Sequence, residues 1–224
     1  FFLKDNSSVG TSSGRRISQM KVLRPDLEFK VLRGNVPTRI NKLRNGEYDA
    51  IVIASAGVKR LKLAIDDLVS YELFQENIIP APAQGVLALQ IRTNDLRLKN
   101  ICNPLHHKDV EEIIAVERKL LNLFQGGCQI SLGAYAFKEN DLVHLRAAWS
   151  PNGTEAPFYL HLAQESPEGL AEKAFQLLKA APKRLNGRKI YITKPESESL
   201  KLANTLLTHG AEVTFRSHIF FENI

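Results

Sequence analysis

The feature that most constrains this chain is a rhythm in its first 61 residues: strand-like run, basic loop, helix-like run, three times over. Ser8-Val9-Gly10-Thr11 reads as a short strand running into Ser12-Ser13-Gly14-Arg15-Arg16 and then a helix, with Ile17, Met20 and Leu23 on its apolar side. Arg24-Pro25-Asp26 is a turn, because proline fixes its own φ and stops a helix. Residues 27–32 form the second strand and Arg33-Gly34-Asn35 the next loop. Asn35 is the expected N-cap of a helix with Pro37 in its first turn and Ile40 and Leu43 facing inward; Gly46 ends it. Residues 48–56 (YDAIVIASA) are almost continuously apolar, which suits a parallel strand covered on both faces. Strands alternating with helices at this spacing predict an α/β unit with a parallel sheet.

The rest of the chain has a different texture. Residues 78–85 (IIPAPAQG) are proline-rich and extended, and lead into an apolar strand at 86–91; this reads as a crossing between domains. Asp109-Val110-Glu111-Glu112 opens a helix as a variant capping box, with apolar spacing carried through Phe124. Gly126-Gly127 ends it, and Cys128 follows at once. Strands at 130–137, 142–149 and 158–162 and a helix from Ser166 to Leu178 make a small α+β domain. After a linker at 183–187, strand, helix and strand signals over 188–215 give a partial βαβ unit, too short to bury a core alone.

The 30 Lys and Arg exceed the 24 Asp and Glu, a net charge of +6 that points to an anionic partner or simply to a solvated basic surface. Nucleic acid is not expected: no basic run is interleaved with aromatics and no zinc-finger spacing occurs. No apolar run approaches the roughly 18 residues of a membrane span, and no secretory segment opens the chain, so a cytoplasmic location is expected. Cys102 and Cys128 form no CxxC, so neither a disulfide framework nor a zinc site is expected. His106-His107 are adjacent, share no helix face and read as solvated loop residues rather than metal ligands.

Four clusters carry chemistry. Thr11-Ser12-Ser13-Gly14-Arg15-Arg16 sits at a helix mouth, where free N–H groups and the helix dipole favour anions. Arg33-Gly34-Asn35-Val36-Pro37-Thr38-Arg39 follows the second strand, and Ala56-Gly57-Val58-Lys59-Arg60 the third. One such loop is compatible with plain capping and solvated arginines. Three at the carboxyl ends of one parallel sheet predict a site for a polycarboxylate, where such sheets bind ligands. In the fourth, Gly126-Gly127-Cys128-Gln129, two glycines permit a tight turn that presents a sulfur nucleophile; a buried inert thiol is the alternative.

The stretches VGTSSGRR, LRGNVPTR, NGEYDAIVIASAGVKRL, PAPAQGVLAL, AVERKLL and GGCQISLGAYA together resemble the porphobilinogen deaminase (hydroxymethylbilane synthase) family, in the family's order. The resemblance implies a periplasmic-binding-protein-like α/β domain with a parallel or mixed sheet, followed by a small α+β domain. Residues 1–79 correspond to most of the second domain, 80–103 to the segment returning to the first, and 104–182 to the third. It implies transferase activity in tetrapyrrole (haem and porphyrin) biosynthesis: condensation of four porphobilinogen units into hydroxymethylbilane with release of ammonia. A dipyrromethane cofactor is implied on Cys128 as a thioether, bound with Thr11, Ser13, Arg15, Arg16 and Lys59. Arg15, Arg16, Arg33, Arg39 and Arg60 are the implied catalytic cations for acetate and propionate groups. Residues 188–215 resemble the opening of uroporphyrinogen-III synthase, which implies hand-over of product to that activity; a monomer is expected. The family's first domain, with its carboxylate, would precede Val9, so the chain alone is expected to be inactive. A carboxylate-binding α/β module without catalysis is the alternative. Two departures from the pattern are Gly14, where the family has Leu, and Ala83, where it has Gly. Gly14 is expected to loosen the loop locally and Ala83 to stiffen the crossing.

Overall fold

The computed structural model describes residues 3–125, 130–180, 188–194 and 211–215, with Leu185, Ser199, Leu202, Ala203, Leu206 and Leu207. Its first layer is a parallel sheet of β1 (Ser8–Gly10), β2 (Glu28–Lys30) and β3 (Ala50–Ile51), in the order β2-β1-β3. Helices α1 (Gly14–Leu23), α2 (Val36–Arg44) and α3 (Ser55–Leu61) follow the three strands in turn. Parallel pairing, with Val9 opposite both Phe29 and Ala50, sends all three strand-to-helix loops out of one edge. The strands are shorter than their apolar runs. β1 offers three residues for pairing, and the ladder with β3 ends at Gly10 opposite Ile51. Residues 52–54 leave the sheet and Ser55 begins α3.

Local signals act as expected in α2. Asn35 Oδ1 accepts from the Thr38 amide at 2.9 Å, and Gly46 follows the helix at φ +74°, the left-handed region that favours glycine. The inward face of α1 differs from its apolar pattern. Arg15, Ser18, Gln19 and Met20 are buried, whereas Leu23 is 43% exposed. The surface that α1 meets explains this. It packs against two strands of a second unit at positions bearing small side chains, and against the backbone of the crossing segment, which demands hydrogen bonds rather than apolar contact.

That second unit is an antiparallel sheet of β4 (Ser131–Glu139), β5 (Leu142–Ser150) and β6 (Phe158–Gln164). One face carries Leu132, Ala134, Val143, Leu145, Ala147 and Leu160 into a core closed by α5 (Lys108–Leu123) and α6 (Leu170–Lys179). The opposite face presents Ser131 beside Ser150 and Gly133 beside Ala148, small residues that let α1 approach. The molecule is therefore a mixed α/β protein with separate parallel and antiparallel sheets. α5 begins at Lys108 with His107 at its N-cap and no capping side chain, so the expected box is not formed. α6 begins at Leu170, not Ser166, because Gly169 at φ +72° caps it and Ser166 and Glu168 are tied to Gln164.

Between the units the chain crosses. Residues 86–91, expected as a strand, pair with no neighbour among the described residues; Leu87 and Leu89 are exposed. An apolar strand without a partner ladder has nothing to hold it regular. A short helix α4 (Leu96–Cys102), N-capped by the Asp95 carboxylate on the Leu98 amide, and a 3₁₀ turn (Asn103–Leu105) follow, neither foreseen from the pattern. Near the C-terminus β7 (Lys189–Ile192) and β8 (Glu212–Phe215) pair in parallel, as a βαβ unit requires.

Glu117 on α5 pins the crossing. Its buried carboxylate accepts from the Ala83 amide at 2.6 Å and the Ala136 amide at 2.8 Å. Burial pushes its pKa upward, while the two amides favour the ionised form. The Ala136 amide lies on β4, an edge strand, and the neighbouring Ala134 amide donates to Pro80 O at 2.9 Å. The crossing segment and one side chain thus cover the open edge of this sheet. Ala83 sits at φ +59°, a glycine conformation occupied by alanine. Ala83→Gly is expected to stabilise the protein by about 0.5–1 kcal/mol, after the unfolded-state entropy of glycine is counted. The midpoint of urea unfolding measures it; a lower midpoint would show that Ala83 is not strained.

Candidate functional site

The site begins where β1 ends. Gly10 lies tight under the Tyr48 ring, where an added Cβ would meet Cδ1 at 2.9 Å. Thr11 is buried and its amide donates to Lys30 O at 2.9 Å, continuing the parallel ladder by one residue. Ser12 then bridges to the next strand end: its hydroxyl donates to Leu32 O at 2.8 Å and accepts from the Leu32 amide at 3.1 Å. Ser13 is the N-cap of α1 in extended conformation, and its side chain makes no capping bond.

Arg16 crosses to the third strand end, donating from Nη1 to Val52 O at 2.7 Å. Its pKa is lowered, first by burial and then by the neighbouring charge of Arg39. Arg39 comes from the first turns of α2 and is itself held by Gly34 O, to which Nε donates at 2.7 Å. Gly57 in α3 touches the start of α2, where an added Cβ would lie 3.1 Å from Val36 Cγ2. So the loops after β1, β2 and β3 adjoin, and two guanidinium groups from two of them repel one another. Neither has a carboxylate partner among the described residues. Like charges held together without a counterion are stabilised by a bound anion, and guanidinium forks suit carboxylates.

The other expected residues are placed differently. Arg33 and Arg60 are exposed and have no ion-pair partner among the described residues. Lys59 is exposed and lies 3.7 Å from Glu72. Arg15 is turned away from the strand edge and buried: Nη1 donates to Ile79 O at 2.8 Å and Nη2 to Gln84 Oε1 at 3.4 Å. Burial, then Arg16, lowers its pKa to about 10. Cys128 with its glycine pair lies outside the described residues. Ser131, three positions later, is described. An added Cβ on Gly14, at the head of α1, would fall within contact of the Ser131 hydroxyl and 3.1 Å from Gly153 Cα. Gly14 therefore permits closeness here rather than loosening the loop, and a leucine would need this contact to open.

Sequence reasoning missed Gln19, Gln84 and Glu117, the polar side chains that hold the crossing. The available signal was Gln19 four residues after Arg15, which puts both on one helix face.

Fold and site together define a mixed α/β protein whose strand edge gathers basic side chains from adjoining loops. The family model described as "Porphobilinogen deaminase, dipyromethane cofactor binding domain" matches residues 2–100. The chain is 40% identical over 179 residues to "Porphobilinogen deaminase" of Staphylococcus saprophyticus, covering 79% of this chain and 57% of that protein. It is 42% identical over 153 residues to the protein of that name from Fusobacterium nucleatum, covering 68% and 51%. It is 43% identical over 182 residues to "Probable porphobilinogen deaminase" of Ignicoccus hospitalis, covering 80% and 58%. The chain is similar over most of its length to proteins of the porphobilinogen deaminase family, and spans about half the length of these curated relatives.

If Arg16 and Arg39 form the anion site, replacing either by Leu should weaken citrate binding about tenfold, the loss of one charge-assisted contact. Calorimetric titration measures it, and the wild-type affinity should fall with added salt. Unchanged affinity in both variants would place the anion elsewhere.

Proposed function

We propose that this chain is the cofactor-binding and cofactor-anchoring part of a hydroxymethylbilane synthase, which condenses four porphobilinogen units and releases ammonia at each step. The observation that carries the reading is the meeting of Arg16 and Arg39 at one strand edge without an acidic partner among the described residues. A dipyrromethane fits this arrangement, because its acetate and propionate groups need fixed cations. When bound it supplies the pyrrole carbon to which the next unit is joined. The chain's own residues bind and orient. Arg16 and Arg39 hold carboxylates in place. Thr11 and Ser13 shape the loop between them, and the N–H groups of the first turn of α1 face the same edge. Arg33, Lys59 and Arg60, all exposed, add a positive field that draws in an acidic substrate.

Cys128 is the proposed attachment point. Ser131, three positions later in the sequence, adjoins the head of α1. That proximity of Ser131 to the helix bearing Arg16 supports the reading. The domain reading is proposed with it. Residues 1–79 belong to a periplasmic-binding-protein-like domain, 80–103 cross to the family's first domain, 104–182 form the anchoring domain, and 188–224 begin a uroporphyrinogen-III synthase-like unit after the 183–187 linker. The exposed apolar residues Leu87 and Leu89 support the crossing, since they are what an adjoining sheet would cover. The parallel pairing of β7 with β8 supports the last unit, and hand-over of product to it is part of the proposal. Among the described residues no helix is long and apolar enough to cross a membrane. A monomer in the cytoplasm completes the reading.

The intact mass of the full-length protein tests it. A two-pyrrole adduct is expected on the peptide containing Cys128, absent from Cys128→Ser, with porphobilinogen consumption abolished in that variant. Turnover by a protein with a bare Cys128 thiol would overturn the proposal.

A further inference from the structure

Gln19 is 0% exposed in the middle of α1. A buried neutral amide without function would cost free energy that Leu or Met of similar volume would avoid. Its partners explain its presence. Gln19 Oε1 accepts from the Ile79 amide at 2.8 Å, and Nε2 donates to Ile79 O at 3.1 Å. A glutamine amide supplies donor and acceptor together, as the backbone of an adjacent strand would. Arg15, one turn earlier, donates to the same Ile79 oxygen at 2.8 Å.

The residue held in this way touches the other unit as well. Ile79 O would lie 2.8 Å from a Cβ on Gly133, so only glycine admits the approach at that place on β4. The next carbonyl, Pro80 O, accepts from the Ala134 amide at 2.9 Å. Two consecutive residues are therefore bound to α1 on one side and to β4 on the other. α1 carries Arg16 on its first turn, and β4 belongs to the antiparallel unit. Among the described residues, nothing else on α1 grips both backbone groups of one residue of the crossing.

We propose that Gln19 is a positioning residue: its amide makes the Ile79 backbone a fixed pivot that sets the placement of the arginine-bearing strand edge against the antiparallel domain. The functional part of this rests on the deaminase reading; the pivot itself does not. Losing the clamp leaves each unit folded but lets them shift, so the effect falls on the rate of chain growth rather than on first capture of substrate.

The test uses Gln19→Leu and Gln19→Glu in the full-length protein. Gln19→Glu keeps the acceptor for the Ile79 amide and stands beside Arg15; Gln19→Leu keeps neither bond. Amide exchange at Ile79 and Ala134 should rise about tenfold in Gln19→Leu and less in Gln19→Glu, with Leu145 in β5 unchanged. In porphobilinogen turnover kcat should fall about tenfold with KM within about twofold, and Gln19→Glu should recover most of it. Wild-type exchange at Ile79 in Gln19→Leu would overturn the pivot. So would a kcat loss that vanishes on cooling well below the melting midpoint, which would mark a stability effect alone. If the wild-type protein fails to consume porphobilinogen, the deaminase reading falls on that control, and the exchange result still decides the pivot.

Discussion

Parallel pairing of three very short strands governs where the chemistry of this chain sits. Because β1, β2 and β3 run the same way, their carboxyl ends share an edge, and the loops that leave it must adjoin. Ser12 on Leu32 and Arg16 on Val52 stitch that edge together through side chains where the ladder has already stopped. A sheet this small could not hold a charged edge by backbone pairing alone. The stitching residues thus serve both fold and site, and the repulsion between Arg16 and Arg39 is tolerated because those bonds hold each in place.

The second constraint is the small-residue face of the antiparallel sheet. Serine, glycine and alanine at 131, 133, 148 and 150 leave room for α1 and for the Ile79–Pro80 backbone to lie directly on β4 and β5. Close backbone approach brings polar groups into a dry contact, and each must be paired. That requirement accounts for Gln19, Arg15 and Glu117 in places where a pattern of burial alone would put leucine. Hydrogen bonds join the two halves of the described structure at the crossing, a mode of packing that defines a geometry closely.

What was legible in the sequence was local. The cap at Asn35, the stop at Gly46, the alternation of strand and helix and the three basic loops each depend on residues within a few positions of one another. What was not legible depends on distant partners. Arg15 lies 64 residues from the carbonyl it serves and Gln19 60 from the residue it holds. The periodic Ile17, Met20 and Leu23 suggested an apolar face for α1, yet the buried face runs through Arg15, Ser18 and Gln19 because a backbone lies opposite. The strand expected at 86–91 failed for the converse reason, since its apolar pattern is real but no strand lies beside it among the described residues. Gly14, read as a loosening, proved to be a point of contact.

In the proposed function Cys128 anchors an acidic cofactor held by the cations of the strand edge. The two cysteines of the chain provide an internal comparison, since Cys102 ends α4, outside the three basic loops in sequence. The most direct measurement is the ratio of alkylation rates by iodoacetate and iodoacetamide at each cysteine in cofactor-free protein, resolved by peptide mass spectrometry. The anionic reagent should be favoured at Cys128 relative to Cys102, and the preference should shrink with added salt and with Arg16→Leu. Equal ratios at the two cysteines, indifferent to salt, would contradict the claim that these cations surround the anchor.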